Sequence, residues 1–412
     1  MYYYYKHKKN VLFSPYEYRG FTSINESMAQ NSSGTIFFLG RLPLAKSRMS
    51  FVISDSSLLY IKTEGIDLLN RSENKPFVTN WILEKIEQRK IIYINTEYPN
   101  WESVLDRAYP AKWNINIIAL GDIGSSLLTG LKLLGRDYIN KISIYDKNLK
   151  NAERWEFELN QISPPFPYDT LPEVDIIDED ELMQCDMIIL CTADEFDSHN
   201  SSLDIRMAQL KKNSEMITLY AQHARNKQFK GIFAIMSDPV DLLCKRAFTE
   251  SNRDKNNHID FRGLAPEQIR GYGLGIMNAR ALYYSKKYPK FKQYMHEGRA
   301  FGSNGSGLII ADSIENYNDV LSDELTELAL NANLEMNKLG YKSYIAPAIS
   351  SGAHPIIATI SQDWHYASTF IGGVFMGANN RLINGSCELE RLDLPEKLFS
   401  KIQSSYKKLD IL

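Results

Sequence analysis

"NIIALGDIGSSLLTGLKLLG" (Asn116–Gly135) decides how this chain is read. Branched apolar residues give way to small turn residues, which open onto leucines at helical spacing. That pattern predicts a buried strand, a tight turn and a helix. In a dinucleotide-binding turn three glycines have separate duties. The first makes the tight turn, the second lets the backbone approach a pyrophosphate, and the third lets helix and strand pack closely. Ala119 stands at the first position here, while Gly121 and Gly124 keep the other two. Free amides and the dipole at the helix start favour phosphate. The next strand, in "KISIYD" (Lys141–Asp146), ends in an acid about 20 residues on, where a carboxylate bonds the adenine ribose hydroxyls. Its charge repels the extra phosphate of NADP, so NAD is the expected cofactor. Asp122 must then point away from the pyrophosphate. Ile123 on the helix start, with Thr192 and Ala193 after "CDMIILC" (Cys185–Cys191), completes the expected cofactor contacts. The competing reading is a glycine-bearing turn with no ligand.

Outward from this stretch the pattern continues. "INIIAL", "KISIYD", "CDMIILCTA" and "GIFAIMS" are short apolar runs separated by helical segments, as expected of buried parallel strands in a doubly wound sheet. From about residue 266 longer helices take over, including "LSDELTELALNANLEMNKLG" (Leu321–Gly340). A seam lies at "YPAKWN" (Tyr109–Asn114). The expected fold class is α/β: a Rossmann-type doubly wound parallel sheet over 111–265, an α+β substrate lobe over 266–412, and a small α/β accessory domain over 1–110. Within the last, "MSFVISDSSLLYIKTEGIDLLN" (Met49–Asn70) predicts two short strands around a turn and then a helix start. In "KPFVTNWILEKIEQR" Phe77, Trp81, Ile82 and Ile86 fall at helical spacing.

The 412 residues favour two or three compact units. Lys plus Arg number 47 against 50 for Asp plus Glu, a balance that supplies no field to attract nucleic acid or an anionic membrane. No apolar run reaches the roughly 18 residues of a membrane span. "KHKK" (Lys6–Lys9) has no apolar core behind it and is not a secretion signal. Cys185, Cys191, Cys244 and Cys387 lack metal-ligand spacing, so no metal is expected, and scattered thiols point to a reducing, cytoplasmic setting.

Three further stretches, with the nucleotide turn, make residues 111–412 resemble the lactate/malate dehydrogenase family. "FAIMSDPVDLL" (Phe233–Leu243) is similar to the family's strand ending in Asn-Pro-Val-Asp. "IRGYGLGIMNAR" (Ile269–Arg280) is similar to the segment whose Leu-Asp-x-x-Arg carries a catalytic aspartate and a substrate arginine. "RAFGSNGSGL" (Arg299–Leu308) is similar to the Gly-Glu-His-Gly-Asp loop of the catalytic histidine. "KLGYKSYIAPA" (Lys338–Ala348) resembles the helix flanking the substrate. The resemblance implies hydride transfer between nicotinamide and a 2-hydroxy or 2-oxo acid, a small carboxylate substrate and a homo-oligomer.

Carried over position by position, the resemblance is uneven. Arg280 matches the arginine that grips the substrate carboxylate. The orienting aspartate is replaced by Met277 and the histidine by Asn304, whose amide can donate a hydrogen bond but not a proton at neutral pH. Asp238 replaces the Asn before Pro-Val-Asp. The mobile-loop arginine has no counterpart in "TADEFDSHNSSLDIR" (Thr192–Arg206), where Ser202 lies nearest its place and His199 close by. Lys342, in "GYKSY", and Asp238 are candidates to manage the proton, as is a water. His354 and His365 are weaker candidates. "YIKTEG" (Tyr60–Gly65) and "FVTNWILEKI" faintly resemble the winged-helix domains that bind leader peptides, which implies a peptide partner taken up by β-augmentation. Two functions stay open: a divergent NAD-dependent oxidoreductase, or an NAD-binding or partner-binding module that has lost the chemistry.

Overall fold

The computed structural model describes residues 2–72, 76–168, 170–191, 203–303, 305 and 307–411, without the side chains of 203–209. The front segment contributes β1 (Tyr3–His7), β2 (Asn10–Ser14), β3 (Thr22–Ile24), β4 (Ile36–Gly40), β5 (Ser50–Val52) and β6 (Ile91–Asn95), with α1 (Glu26–Gln30) and α2 (Asn80–Glu87). The first half of the body alternates β7 (Trp113–Ile118), α3 (Asp122–Leu134), β8 (Ile139–Tyr145), α4 (Leu149–Asn160), β9 (Glu173–Ile176), β10 (Met187–Leu190), α5 (Leu203–Asn226), β11 (Ile232–Ile235), α6 (Val240–Ser251) and β12 (Ile269–Gly271). The remainder carries α7 (Leu274–Lys287), α8 (Tyr294–Glu297), β13 (Arg299–Phe301), β14 (Ile309–Ala311), α9 (Asp319–Lys338), α10 (Ile345–Pro347), a π-helical turn (Ala348–Ala353), α11 (His354–Ser361), β15 (His365–Ile371), β16 (Val374–Ile383), β17 (Ser386–Leu389) and α12 (Glu396–Ile411).

Strands β12, β11, β10, β7, β8 and β9 lie side by side in that order, every pair parallel. Numbered from β7, this is the 3-2-1-4-5-6 arrangement of a Rossmann sheet, whose strand order reverses between β7 and β10. All four residues of β10 and of β11 are buried, as strands covered by helices on both faces must be. The turn after β7 therefore stands at the switch point, beyond the carboxyl ends of the strands, where ligands settle in such sheets.

The front segment is fused to this body. Its strands pair in the order β3-β1-β2-β4-β6-β5, and β5 joins β17 in parallel through Phe51 and Cys387, so a single sheet of 15 strands runs through the chain. Buried polar groups bind the same junction. Glu267 accepts from the backbone amides of Met49 and Ser50, at 3.2 and 2.9 Å. Arg48 pairs with Glu64 at 3.0 Å, and both are buried. Burial pushes the Glu64 carboxyl up, against the pull of Arg48.

Two expectations for the front segment are corrected. Residues 60–65 form no strand: Ser56–Tyr60 and Ile66–Leu69 are 3-10 turns that bury Leu58, Leu59, Ile66 and Leu69. The winged-helix outline thus lacks its strand there. Phe77 is 93% exposed and precedes α2, so the helix face is Trp81, Ile82 and Ile86 alone.

Candidate functional site

Ala119 follows β7 with φ +70°, a left-handed conformation that costs a residue with a Cβ but not glycine. The local geometry explains why a glycine is usual at that position. Gly124 sits where an added Cβ would lie 2.0 Å from Ala119 O, so only glycine lets α3 start this close to the strand. Gly121, the N-cap of α3, has no atom within 4 Å of an added Cβ, and no side chain caps the helix. The first amides of α3 thus face open space, since the first turn of a helix has no internal acceptors. Asp122 is exposed, as its proximity to a phosphate requires, and its charge at the first turn suits the helix dipole.

Asp146 closes the far side of the loop. Its Oδ2 accepts from Leu120 N at 2.8 Å and from Asn151 Nδ2 at 3.1 Å, and its Oδ1 accepts from Asn148 N at 2.9 Å. A carboxylate offers about four acceptor sites, so one remains for a ribose hydroxyl. Asn151, which also donates to Leu120 O at 3.2 Å, braces the turn and carries no signal in the sequence beyond a polar residue on α4. An open backbone cradle, uncapped amides and an acid with a spare acceptor site fit a dinucleotide. Thr192 and Ala193 lie outside the described residues, as do His199, Ser202 and Asn304.

On the substrate side, α7 presents Arg280. Its Nη1 donates to Ala329 O at 3.1 Å and sits 3.8 Å from Met277 Sδ. Burial lowers its pKa, while Tyr284 and Asp238 act in the opposite direction. Among the described residues no carboxylate forms an ion pair with Arg280. Asp238 follows β11, is exposed, and acts on Arg280 through its charge. Three positions on, Asp241 is buried and accepts from Ser368 Oγ at 2.6 Å. Burial pushes its carboxyl up to about 7; Asp238 adds to the rise and the Ser368 hydrogen bond opposes it.

The described ends of the glycine-rich stretch are held by hydrogen bonds. Arg299 clasps Glu390 with two bonds of 2.8 Å. Gly302, at φ +89°, donates to Gly377 O at 2.9 Å, and Ser405 Oγ holds Gly307 O at 2.8 Å. The amino end of α7 reaches the same place, because a Cβ on Gly377 would lie 2.8 Å from Leu274 Cδ2. Ser351 in the π-helical turn bridges Gly273 O at 2.7 Å and Ile276 N at 2.8 Å, which fixes the start of the Arg280 helix. Such turns recur at functional sites.

The other candidates stand apart. The segment resembling a substrate-flanking helix is not helical at Lys342: α9 ends at Lys338, α10 begins at Ile345, and Lys342 is exposed between them. His354 is exposed at the start of α11. His365 is buried, bonded to Thr359 Oγ1 at 2.9 Å and to the buried Arg270 at 3.2 Å. Burial first, then Arg270, holds its pKa down at about 3, so it is a neutral structural residue. Among the described residues no group of His, Cys, Asp and Glu side chains could hold a metal ion, and no helix is long and apolar enough to cross a membrane. All four cysteines are free.

No family model matches the chain. It is 28% identical over 182 residues to an L-lactate dehydrogenase of Treponema denticola, covering 40% of this chain and 54% of that protein. An L-lactate dehydrogenase of Oceanobacillus iheyensis is 24% identical over 172 residues, 42% of this chain and 48% of the relative. Over these residues the chain is similar to L-lactate dehydrogenases. It spans about half the length of these curated relatives. Among solved structures the fold matches the minor L-lactate dehydrogenase of Enterococcus mundtii, with a TM-score of 0.59 and 16% identity, covering 73% of this chain and 98% of that one. The malate dehydrogenase of Picrophilus torridus gives a TM-score of 0.56 at 16% identity, covering 73% and 97%. Met277, three residues before Arg280 on α7, is buried.

Proposed function

We propose that the chain is an NAD-dependent oxidoreductase that interconverts a 2-oxo acid and the corresponding 2-hydroxy acid. Arg280 carries this reading. A partly buried guanidinium that gives one hydrogen bond to a backbone carbonyl and pairs with no carboxylate among the described residues is suited to a bidentate carboxylate. Bound NADH supplies a hydride to the carbonyl carbon, or bound NAD accepts one in reverse. Gly121 and the first amides of α3 hold the pyrophosphate, and Asp146 holds the adenine ribose. Arg280 pins the substrate carboxylate so that its carbonyl meets the nicotinamide at a fixed distance. Asn304 donates a hydrogen bond to the carbonyl oxygen. As that oxygen gains the electron pair of the C=O bond, a water in the crevice gives it a proton and the hydroxide left behind is neutralised from solvent; Asp238, exposed and acting as a carboxylate, orients that water. Lys342, exposed between helices, is the weaker proton source.

The experiment is an NADH fluorescence titration followed by a turnover screen with pyruvate, oxaloacetate and other 2-oxo acids. Saturable NADH binding with turnover on at least one 2-oxo acid is expected. Tight binding with no turnover on any of them refutes the oxidoreductase and leaves a nucleotide-binding module. Restoring the lost pair with Asn304→His and Met277→Asp should raise turnover of pyruvate or oxaloacetate; an unchanged rate would mean that the pocket has diverged as well.

A further inference from the structure

Carbonyl and iminium groups place different demands on the side chains around them. A hydride added to C=O leaves negative charge on oxygen, which a proton must meet. A hydride added to C=N⁺ cancels a positive charge and needs no proton in that step. The charges at this site tell the two apart.

Strands β11 and β12 end side by side, with Ile235 paired to Gly271 and Tyr272 N donating to Ile235 O at 2.8 Å. Both leave the sheet at its carboxyl edge, the edge that carries the nucleotide turn. One segment bears Asp238, three residues beyond β11, and the other opens α7 with Arg280. Asn213, on α5, steadies the first by donating from Nδ2 to Asp238 O at 2.9 Å. Asp238 is exposed and Arg280 is only partly buried, so a ligand has access to both. Among the described residues Asp238 is the one charged group that acts on Arg280; burial keeps the nearby Tyr284 phenol neutral. Asp241 lies buried against Ser368 and offers a ligand no second carboxylate.

A 2-oxo acid satisfies the guanidinium alone. As its carbonyl oxygen gains charge, the Asp238 carboxylate repels it, and the proton has to come from water. A carboxylate with a cationic nitrogen on the neighbouring carbon satisfies both side chains. A nearby opposite charge also favours the protonated nitrogen, the form that accepts hydride.

We propose that the preferred substrate of this site is a 2-iminio acid, made from a 2-oxo acid and ammonia or a primary amine with loss of water. The product is the corresponding α-amino acid. This rests on the hydride-transfer reading above and narrows its substrate. Arg280 holds the carboxylate and Asp238 pairs with the nitrogen. The substrate carbon gains a C–H bond from the hydride of bound NADH, which is oxidised to NAD. The π pair of C=N⁺ moves onto nitrogen, and the neutral amine takes its proton from solvent.

Two measurements on the full chain test this. Calorimetry in the presence of NADH compares racemic proline with racemic tetrahydrofuran-2-carboxylate, the same ring with an ether oxygen in place of the ammonium nitrogen. Proline is expected to bind about tenfold more tightly, the value of one hydrogen bond to a charged group. Asp238→Asn should remove that preference, and the comparison on the parent chain stands without the variant. NADH oxidation is then followed with 1-pyrroline-2-carboxylate and with pyruvate, and the cyclic imine should show the higher kcat/KM. Equal binding of the two rings, or pyruvate reduced as well as the imine, overturns the proposal and leaves the 2-oxo acid reading in place. Failure of that reading looks different: NADH binds, neither compound is reduced, and this proposal falls with it.

Discussion

Two alanine substitutions one helical turn apart separate packing from ligand binding at the nucleotide turn. In Gly124→Ala the new methyl would sit 2.0 Å from Ala119 O and 3.1 Å from Ala119 C. Real Cβ atoms essentially never come within 3.0 Å of another heavy atom, so α3 or the Ala119 peptide must retreat by at least 1 Å. Ala119, already at φ +70°, has little freedom to yield. Overpacking of this kind costs about 1–3 kcal/mol, offset by about 1 kcal/mol of gained helix propensity, so the fold survives. A retreat of that size breaks the alignment of the first α3 amides with phosphate. Losing two hydrogen bonds to a charged group at about 1.5 kcal/mol each weakens NADH by about 100-fold. In Gly121→Ala the methyl meets no protein atom within 4 Å, and φ −70° suits any residue. Its Tm should match that of the parent while NADH binding still falls, because the methyl takes the space of the pyrophosphate. The assays are NADH fluorescence titration and a thermal melt on each variant. Parent-like NADH affinity in both would mean that the pyrophosphate lies away from these amides, and unfolding of Gly121→Ala would mean that the turn is closed by packing there.

Other outcomes follow from the same contacts. Arg280→Leu should raise the KM of any 2-oxo acid substrate about 100-fold, as expected for a bidentate charge-assisted pair, with NADH affinity unchanged by fluorescence titration. Asp241 is protonated in the folded chain up to about pH 7 and ionises near 3.8 when unfolded. The folded state then holds the extra proton between these values, so this group makes stability fall with rising pH across that window, by about 1.4 kcal/mol per pH unit at most, and level off above it. Asp241→Asn should therefore gain stability over the parent at pH 8 more than at pH 5, measured by urea unfolding. His365 works in the opposite sense, since its folded pKa of about 3 means that stability drops as pH falls below 6.5. Glu64→Gln leaves the buried Arg48 without its carboxylate and should cost about 3–5 kcal/mol in guanidinium unfolding.

The nucleotide turn was legible in the sequence because its constraints are local. Gly124 answers to an oxygen five residues away, and the alternation of strand and helix is written in short apolar runs. That alternation fixes a doubly wound parallel sheet but not the order of its strands. The front segment was less legible, since its fusion to the body depends on distant partners: Phe51 with Cys387, Ser50 with Glu267, Arg107 with Gly385. Nothing in "YIKTEG" shows that Ile66 and Leu69 will bury themselves in 3-10 turns instead of continuing a strand. The substrate side was read through position alone. That singled out Arg280 and Asp238, but could not reveal the buried Asp241, the brace at Asn151 or the Ser351 bridge, all made by contacts across elements. Lys342 looked helical because the leucine pattern of α9 runs close to it; Gly340, at φ +83°, ends that helix first.

What occupies the crevice beyond Gly121 decides the cofactor, and a crystal soaked in NADH examines it directly. The expected density is a pyrophosphate against the first amides of α3, with one Asp146 oxygen on the adenine ribose while the other keeps its bond to Leu120. A crevice filled by protein side chains, or a nucleotide bound elsewhere with Asp146 still turned wholly toward its own backbone partners, would contradict it.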